Sequence, residues 1–477
     1  MALIIEQQPL YNELPVGQQL IFTVKDGFIV GTQYKVKYVA IVESGTFATG
    51  LTTIGTFKTT PNNTGAGIFD FRPVLENEVN PDNEPETSSL TFSKPSYKGK
   101  DYLNIGADQF RFPLHIVDKW SCSAEAVRFF RIHFYTESSE AATGSVTRST
   151  NATTSALFTI INGVIQYDDV LTLDNNNYGY NMTSFTPNST AGASITSALS
   201  NAPKTQYARI NDYGTLPFLN AWLSTAKEHT LAGAIINLLD SGGGGLATTT
   251  ILTDKDNGGF IASGITTSAT RLLYLGCFPA NLNNWWTDFA THKANVSQIE
   301  IVTLANVATV SSETYKIDII CDNERGYEGI RLCWLNQWGA WDYYTFNKKS
   351  VRSTQTNRET YTQLGGTWNE STFKMAGYKG GKKNFRVNAT ERVTMNTSYL
   401  NEAEAVWMEE LINSTEVYLL NGYDGTESSP FNTITNKYVE PVRVTTSSYT
   451  RKTIANDKLM QYTIEVEKSK TKRTQSV

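Results

Sequence analysis

One run constrains this chain more than any other: Leu332-Cys333-Trp334-Leu335-Asn336-Gln337-Trp338-Gly339-Ala340-Trp341-Asp342-Tyr343-Tyr344-Thr345-Phe346. It reads as two short strands around a tight turn. Asn336 starts the turn, and Gly339 tolerates the positive φ that ends it. Side chains alternate between the faces of a strand. Leu332 and Trp334 therefore share one face, with Cys333 and Leu335 opposite. After the turn Trp341, Tyr343 and Thr345 share a face, with Asp342, Tyr344 and Phe346 opposite. Both faces are largely apolar or aromatic, so both are expected to lie against something. That pattern suits a packed structural or binding protein and not an exposed catalytic loop.

The chain has 477 residues, enough for about three domains with real hydrophobic cores. Charged residues make up 18% and aromatics 12%, with Asn, Thr and Ser filling much of the rest. That balance predicts an all-β fold, because Thr, Tyr, Phe, Trp and Val fit a pleated surface. A net charge of −5 gives no general attraction to nucleic acid. Basic residues gather late, at Lys348, Lys349 and Arg352, at Lys374, Lys379, Lys382, Lys383 and Arg386, and in the tail at Lys468, Lys470, Lys472 and Arg473. A solvated face accounts for such groups; an electrostatic contact with an acidic partner is the sharper reading. Cys122, Cys277, Cys321 and Cys333 fit no zinc spacing; Cys321 and Cys333 can face each other across a hairpin, but buried free thiols are the simpler expectation. The first residues lack a signal peptide's basic n-region and long apolar core, and no apolar run is long enough to span a membrane.

Periodicity predicts mainly antiparallel β-sandwich modules with a few short helices. Residues 1–150 read as an N-terminal sandwich, with strands near 20–24, 34–42 and 127–135 and a short helix started by Pro73. Asn80–Lys100 reads as a loop, and Ser138–Thr153 as a linker. Residues 155–321 form a second β-rich unit, in which Asn162-Gly163 predicts a hairpin between 157–161 and 164–167. Residues 322–477 form a third, C-terminal docking domain opened by the aromatic hairpin and closed by the basic tail. Its one amphipathic helix spans 402–413, with Asn401 and Glu404 as a capping pair and Ala403, Trp407, Met408, Leu411 and Ile412 as the apolar stripe. That helix is the simplest cover for the hairpin's second face.

Chemistry is sparse. The four histidines, His115, His133, His229 and His292, fall in no metal or triad pattern, and His133 reads as a packed strand residue. Gly377–Lys383 lacks the spacing of a phosphate loop and reads as a basic turn. Asp254–Gly258 departs from a Ca²⁺ loop at its fifth position, and Ile265 supplies no carboxylate at its twelfth. Trp285, Trp286, Trp338 and Trp341 can stack on sugar rings, but filling cores and interfaces is their more ordinary use. No catalytic residue, cofactor or metal is nominated, and the chain is expected not to be an enzyme.

Three stretches occur in a suggestive order: Pro61–Phe71 before a short helix, Leu199–Lys204 leading into Asp212–Asn220, and Leu332–Phe346 opening the last third. In this order the chain resembles large virion structural proteins of tailed bacteriophages. The resemblance implies a tail-associated virion component of β-sandwich modules, assembled in the host cytoplasm, that forms homo-oligomers and docks on other virion proteins. It carries over no catalytic motif. Trp334, Trp338, Trp341, Tyr343 and Tyr344 are the expected packing residues near that contact, and Lys468, Lys470, Lys472 and Arg473 the expected electrostatic clamp. The alternative is a receptor- or carbohydrate-binding module for a host-surface glycan. A glycan depolymerase, the remaining rival, requires two carboxylates in a cleft.

Overall fold

A computed structural model describes residues 3–80, 119–122, 126–166, 182–186, 197–220, 231–253, 271–305, 309–310, 312–320, 326–420, 439–449 and 460–476. The fold is all-β, in several mainly antiparallel sheets with a few short helices. The expected Asn80–Lys100 loop, save its first residue, His115, His229, Cys321 and the Asp254–Gly258 stretch lie outside the described residues. The chain divides into two compact units. Unit 1 comprises Met1–Cys321, Trp334–Tyr344 and Gly422–Asn436; unit 2 comprises Asp322–Cys333, Thr345–Asn421 and Lys437–Val477.

Unit 1 begins with a two-layer sandwich. One layer is β1 (Ile4–Gln7), β3 (Ile21–Lys25) and β6 (Ala66–Asp70), in that order. The other runs β2 (Glu13–Pro15), β11 (Phe158–Ile161), β8 (Val127–Ser139), β4 (Tyr34–Gly45), β5 (Thr52–Thr59), with β9 (Thr147–Arg148) and β10 (Thr153–Thr154) added to β8. Alternation along β3, β4 and β8 sends Phe22, Val24, Tyr38, Ala40, Val42, Phe130, Ile132 and Phe134 into one shared core. Phe22 sits at its centre, edge-on to Phe71 and Phe158 at centroid distances of 5.5 and 5.7 Å. The Pro61–Phe71 stretch is a built turn. Asn62 Oδ1 accepts from Thr64 N, Thr64 Oγ1 and Ala66 N, and Gly65 takes φ +83°. The Tyr38 hydroxyl ties this turn to the next connection, donating to Gly65 O at 2.7 Å and accepting from Asp26 N at 2.9 Å. Asp26 in turn caps α1 (Gly27–Thr32), and Pro73 lies in the first turn of α2 (Arg72–Leu75).

Two expectations fail in this region. Ser138–Thr153 is not a linker, because β8 runs on to Ser139 and the Thr-bearing pairs at β9 and β10 fold back onto it. Its Ser/Thr content suits a short edge strand as well as a tether. Asn162-Gly163 does not close a hairpin: 164–166 is not a strand, and β11 pairs instead with β2 in parallel and β8 antiparallel.

The rest of unit 1 holds a six-stranded sheet, β12 (Thr205–Arg209), β19 (Tyr315–Ile320), β17 (Gln298–Ala305), β14 (Leu231–Leu239), β15 (Gly245–Leu252), with β18 (Thr309–Val310) beside β17. A three-stranded sheet, β13 (Thr215–Leu219), β16 (Leu272–Gly276), β7 (Trp120–Cys122), accompanies it. Because β7 pairs with β16, hydrogen bonds tie the first third of the chain to the second. Two short helices follow, α3 (Pro279–Trp285) and α4 (Thr287–His292).

Unit 2 is built on an eight-stranded sheet in the order β21 (Trp341–Phe346), β20 (Ile330–Leu335), β24 (Val417–Leu420), β25 (Val439–Val444), β26 (Thr463–Lys468), β23 (Gly381–Asn396), β22 (Ser350–Gln363), with β27 (Lys472–Ser476) also on β23. The far ends of β20 and β21, with the turn between them, are the Trp334–Tyr344 segment of unit 1. Helix α5 (Glu402–Asn413) starts as predicted: Asn401 Oδ1 accepts from Glu404 N at 2.9 Å and Glu404 Oε2 accepts from Asn401 N at 2.8 Å. Its buried face is Ala405, Trp407, Met408 and Leu411, so Ala405 takes the place expected of the exposed Ala403.

Candidate docking surface

The aromatic hairpin folds as expected, and its turn end is an internal latch of unit 1. Asn336 Oδ1 accepts from Trp338 N and Ala340 N, both at 3.0 Å, and Gly339 takes φ +76°. The turn then locks onto two other segments of unit 1. Val164 N donates to Gln337 O at 2.6 Å, Asn336 Nδ2 to Leu199 O at 3.0 Å, and Trp338 Nε1 to Asn201 Oδ1 at 3.2 Å. The Trp338 ring packs on Phe185 at 4.8 Å, and Tyr343 packs on Phe278 while sharing a 2.9 Å hydrogen bond with Thr215. A Cβ on Gly339 would fall on the Asn162 carbonyl oxygen, and one on Gly163 would meet the Trp338 backbone. The Asn162-Gly163 dipeptide is therefore a site of close backbone approach.

The aromatic residues expected to pack near a contact lie inside the chain. Trp334, Trp338, Trp341, Tyr343 and Tyr344 are all buried within the chain itself, so none offers a surface to a second molecule. Their two-faced pattern records burial in the chain's own interior. Trp286 is likewise buried, with Trp285 stacked on it at 6.1 Å.

The basic tail is not free either. β27 pairs with β23, setting Lys472 opposite Ala389 and Arg473 opposite Asn388. Glu391 anchors it: its carboxylate lies 2.7 Å from Lys472 Nζ, 3.6 Å from Lys468 Nζ and 3.7 Å from Arg352 Nη1. The Lys472 hydrogen bond and the neighbouring cations outweigh desolvation and hold the Glu391 carboxyl below its ordinary value. Lys468 also reaches Glu440 at 3.1 Å. Lys470, between the two strands, and Arg473, on β27, are exposed. Two of the four clamp residues are thus spent on the chain's own carboxylates.

An open surface lies on the ribbon β22–β23, where periodicity shows no apolar face. The two strands pair continuously from Ser350–Met395 to Gln363–Gly381, with one irregularity between Glu359 and Thr360. β22 ends the sheet order, and residues 351–360 are exposed on both faces. Their side chains are mostly Thr, Ser, Asn, Gln and Arg, a Thr-rich alternation with no apolar stripe to reveal it. At the far end, residues 364–380 form an ordered tip. Thr367 N donates to Lys374 O at 2.9 Å, and Lys374 N donates back to Thr367 Oγ1 at 2.8 Å. From this frame Trp368 is 71% exposed, Phe373 69%, Met375 91% and Tyr378 80%.

Other chemistry is thin. His133 bridges Thr154 and Glu43 within the sandwich sheet, as a packed strand residue does. Cys277 and Cys333 are buried free thiols, and burial pushes the Cys333 thiol far up despite nearby Arg331. Among the described residues no three His, Cys, Asp or Glu side chains group as metal ligands, and no helix is long and apolar enough to cross a membrane. The sequence matches no protein-family model and no curated protein.

Proposed function

We propose that this chain is a non-enzymatic structural component of a tailed-phage virion, of the tail, that self-assembles and docks on neighbouring virion proteins through the ribbon β22–β23. The resemblance noted above supplies the setting. The observation that carries the docking role is the open edge of β22. Exposed edge strands are normally blunted by shortness, lysine, proline or a cover. β22 is 14 residues long, contains no Lys or Pro, and is exposed on both faces over residues 351–360. Its outward N–H and C=O groups are a template for an added strand, and its Thr and Asn side chains suit pairing with another polar strand.

The test is light scattering on the purified chain, with pull-down of co-encoded virion proteins. Proline at Gln355 and at Thr356 separates the two edges of β22, since only one of these N–H groups faces outward. The outward proline is expected to abolish association while leaving circular dichroism unchanged. A monodisperse monomer with no affinity for co-encoded virion proteins overturns the proposal.

The same ribbon favours a second reading, a receptor- or carbohydrate-binding module, because Trp368 and Tyr378 stand open beside Asn369 at its tip. Glycan-array binding that Trp368→Ala abolishes, in a chain that does not self-associate, would put this reading first.

A further inference from the structure

The tip of the ribbon carries a surface chemistry distinct from that of its strands. We infer that residues 364–383 form a lipid-docking tip that inserts into the interface of an anionic bilayer, independently of the strand-pairing role proposed for the β22 edge.

Three observations lead there. First, Leu364, Trp368, Phe373, Met375 and Tyr378 are all exposed within one loop. A cluster of that kind marks an interaction surface. Second, the loop is already ordered. Besides the Thr367–Lys374 pair, Thr367 Oγ1 donates to Thr372 O, Lys379 N to Ala376 O, and Gly380 N to Gln363 Oε1. These backbone groups keep their partners when water is withdrawn, which entry into a membrane interface demands. Third, charge is sharply local. Between residues 360 and 390 stand Lys374, Lys379, Lys382, Lys383 and Arg386 against the carboxylate Glu370, in a chain whose net charge is −5; Arg386 is paired with Glu359 at 3.8 Å, which leaves the four lysines as the local excess. The next carboxylate along β23, Glu391, is already neutralised by Lys472, Lys468 and Arg352.

The order of chemistry along the ribbon selects lipid over other anionic partners. The apex carries exposed Trp368, Phe373, Met375 and Tyr378, with exposed Glu370 and Lys374 among them. Exposed Lys382 and Lys383 and half-buried Lys379, whose Nζ lies 5.9 Å from the Tyr378 ring centre, come just behind it. The Thr/Asn/Gln ladder of β22 and β23 follows. Acyl chains, anionic headgroups and water succeed one another in the same order across a bilayer surface. Trp and Tyr prefer that boundary, and lysine stems reach through it to the phosphates. Nucleic acid would call instead for cations lining a groove with rings facing into it, and here the rings are exposed on a loop.

The experiment is co-sedimentation of the full chain with vesicles of phosphatidylcholine containing phosphatidylglycerol, and with vesicles of phosphatidylcholine alone. Binding is expected to the anionic vesicles, weakening with salt. Each of Lys382→Ala and Lys383→Ala is expected to weaken it about fivefold, from about 1 kcal/mol per cation near a charged surface. The double variant Trp368→Ala/Phe373→Ala should weaken it by more than tenfold. All four positions are exposed, so circular dichroism should not change, and Phe28→Ala, at an exposed ring on α1 outside the ribbon, should bind as the parent does. Vesicle binding unaffected by both sets of tip variants overturns the inference. So does failure to bind anionic vesicles, including the case in which the tip instead captures DNA, a glycan or a second copy of the chain.

Discussion

Replacing Gly339 by alanine probes the latch at its tightest point. Gly339 sits at φ +76°, which costs an L-residue about 1–2 kcal/mol. Its new Cβ would also land on the Asn162 carbonyl oxygen, closer than the roughly 3.0 Å that real Cβ atoms respect. Neither backbone can yield alone, because Val164 N–Gln337 O, Asn336 Nδ2–Leu199 O and Trp338 Nε1–Asn201 Oδ1 span the same junction. Opening the junction to relieve the clash gives up hydrogen bonds of about 1 kcal/mol each. The expected loss is about 3–5 kcal/mol, a large part of the 5–15 kcal/mol typical of a domain. Urea denaturation followed by tryptophan fluorescence measures it, with Gly377→Ala as the control, since a Cβ there meets nothing within 4 Å. A Gly339→Ala midpoint within about 1 kcal/mol of the parent would refute the latch.

Three further outcomes follow from the same geometry. Tyr38→Phe leaves Asp26 N and Gly65 O without their shared hydroxyl and should cost about 1–3 kcal/mol by thermal unfolding. Glu391 has its pKa depressed in the folded state, so its contribution is fully present above the ordinary carboxylate value of 4.5 and fades as pH falls through the lower folded value. The protection of amides over residues 472–476, taken relative to their intrinsic exchange rates at each pH, should therefore fall on acidification, and Glu391→Gln should show low protection there already at neutral pH. Cys333, buried and with its thiol pKa raised, should resist a thiol reagent in the native chain and react once it is unfolded.

The elements legible in the sequence were those whose residues carry their own reason for being there. The Asn401–Glu404 box, the Asn336–Gly339 turn and the strand at 127–135 are local statements, and each folds where it reads. Asn162-Gly163 misled because a glycine needed for close approach looks the same as a glycine needed for a turn, and only the partner backbone at Trp338 tells them apart. The hairpin aromatics misled for a related reason. A strand apolar on both faces demands cover, but the sequence does not say whether a neighbouring subunit or a distant loop of the same chain provides it. The ribbon went unseen because its strands lack a buried face, and periodicity reports burial alone.

Two kinds of aromatic cluster separate on physical grounds. In the hairpin, Trp338 Nε1 is matched to Asn201 and the Tyr343 hydroxyl to Thr215 inside the chain. Such pairing is what a buried ring requires, and it fixes those residues as structure. The rings of the ribbon tip are held out by a hydrogen-bonded loop instead, at the end of a polar stem. Exposing Trp368, Phe373, Met375 and Tyr378 together forgoes several kcal/mol of burial, at about 25 cal/mol per Å² of apolar surface. Thr367 and Lys374 nevertheless hold the loop in the one shape that keeps these side chains in water. A chain that buries Trp120, Trp286, Trp334, Trp338, Trp341 and Trp407 has the means to cover these as well. That they stay outside, with lysines behind them, is the strongest reason to look for this protein's function at the end of its ribbon.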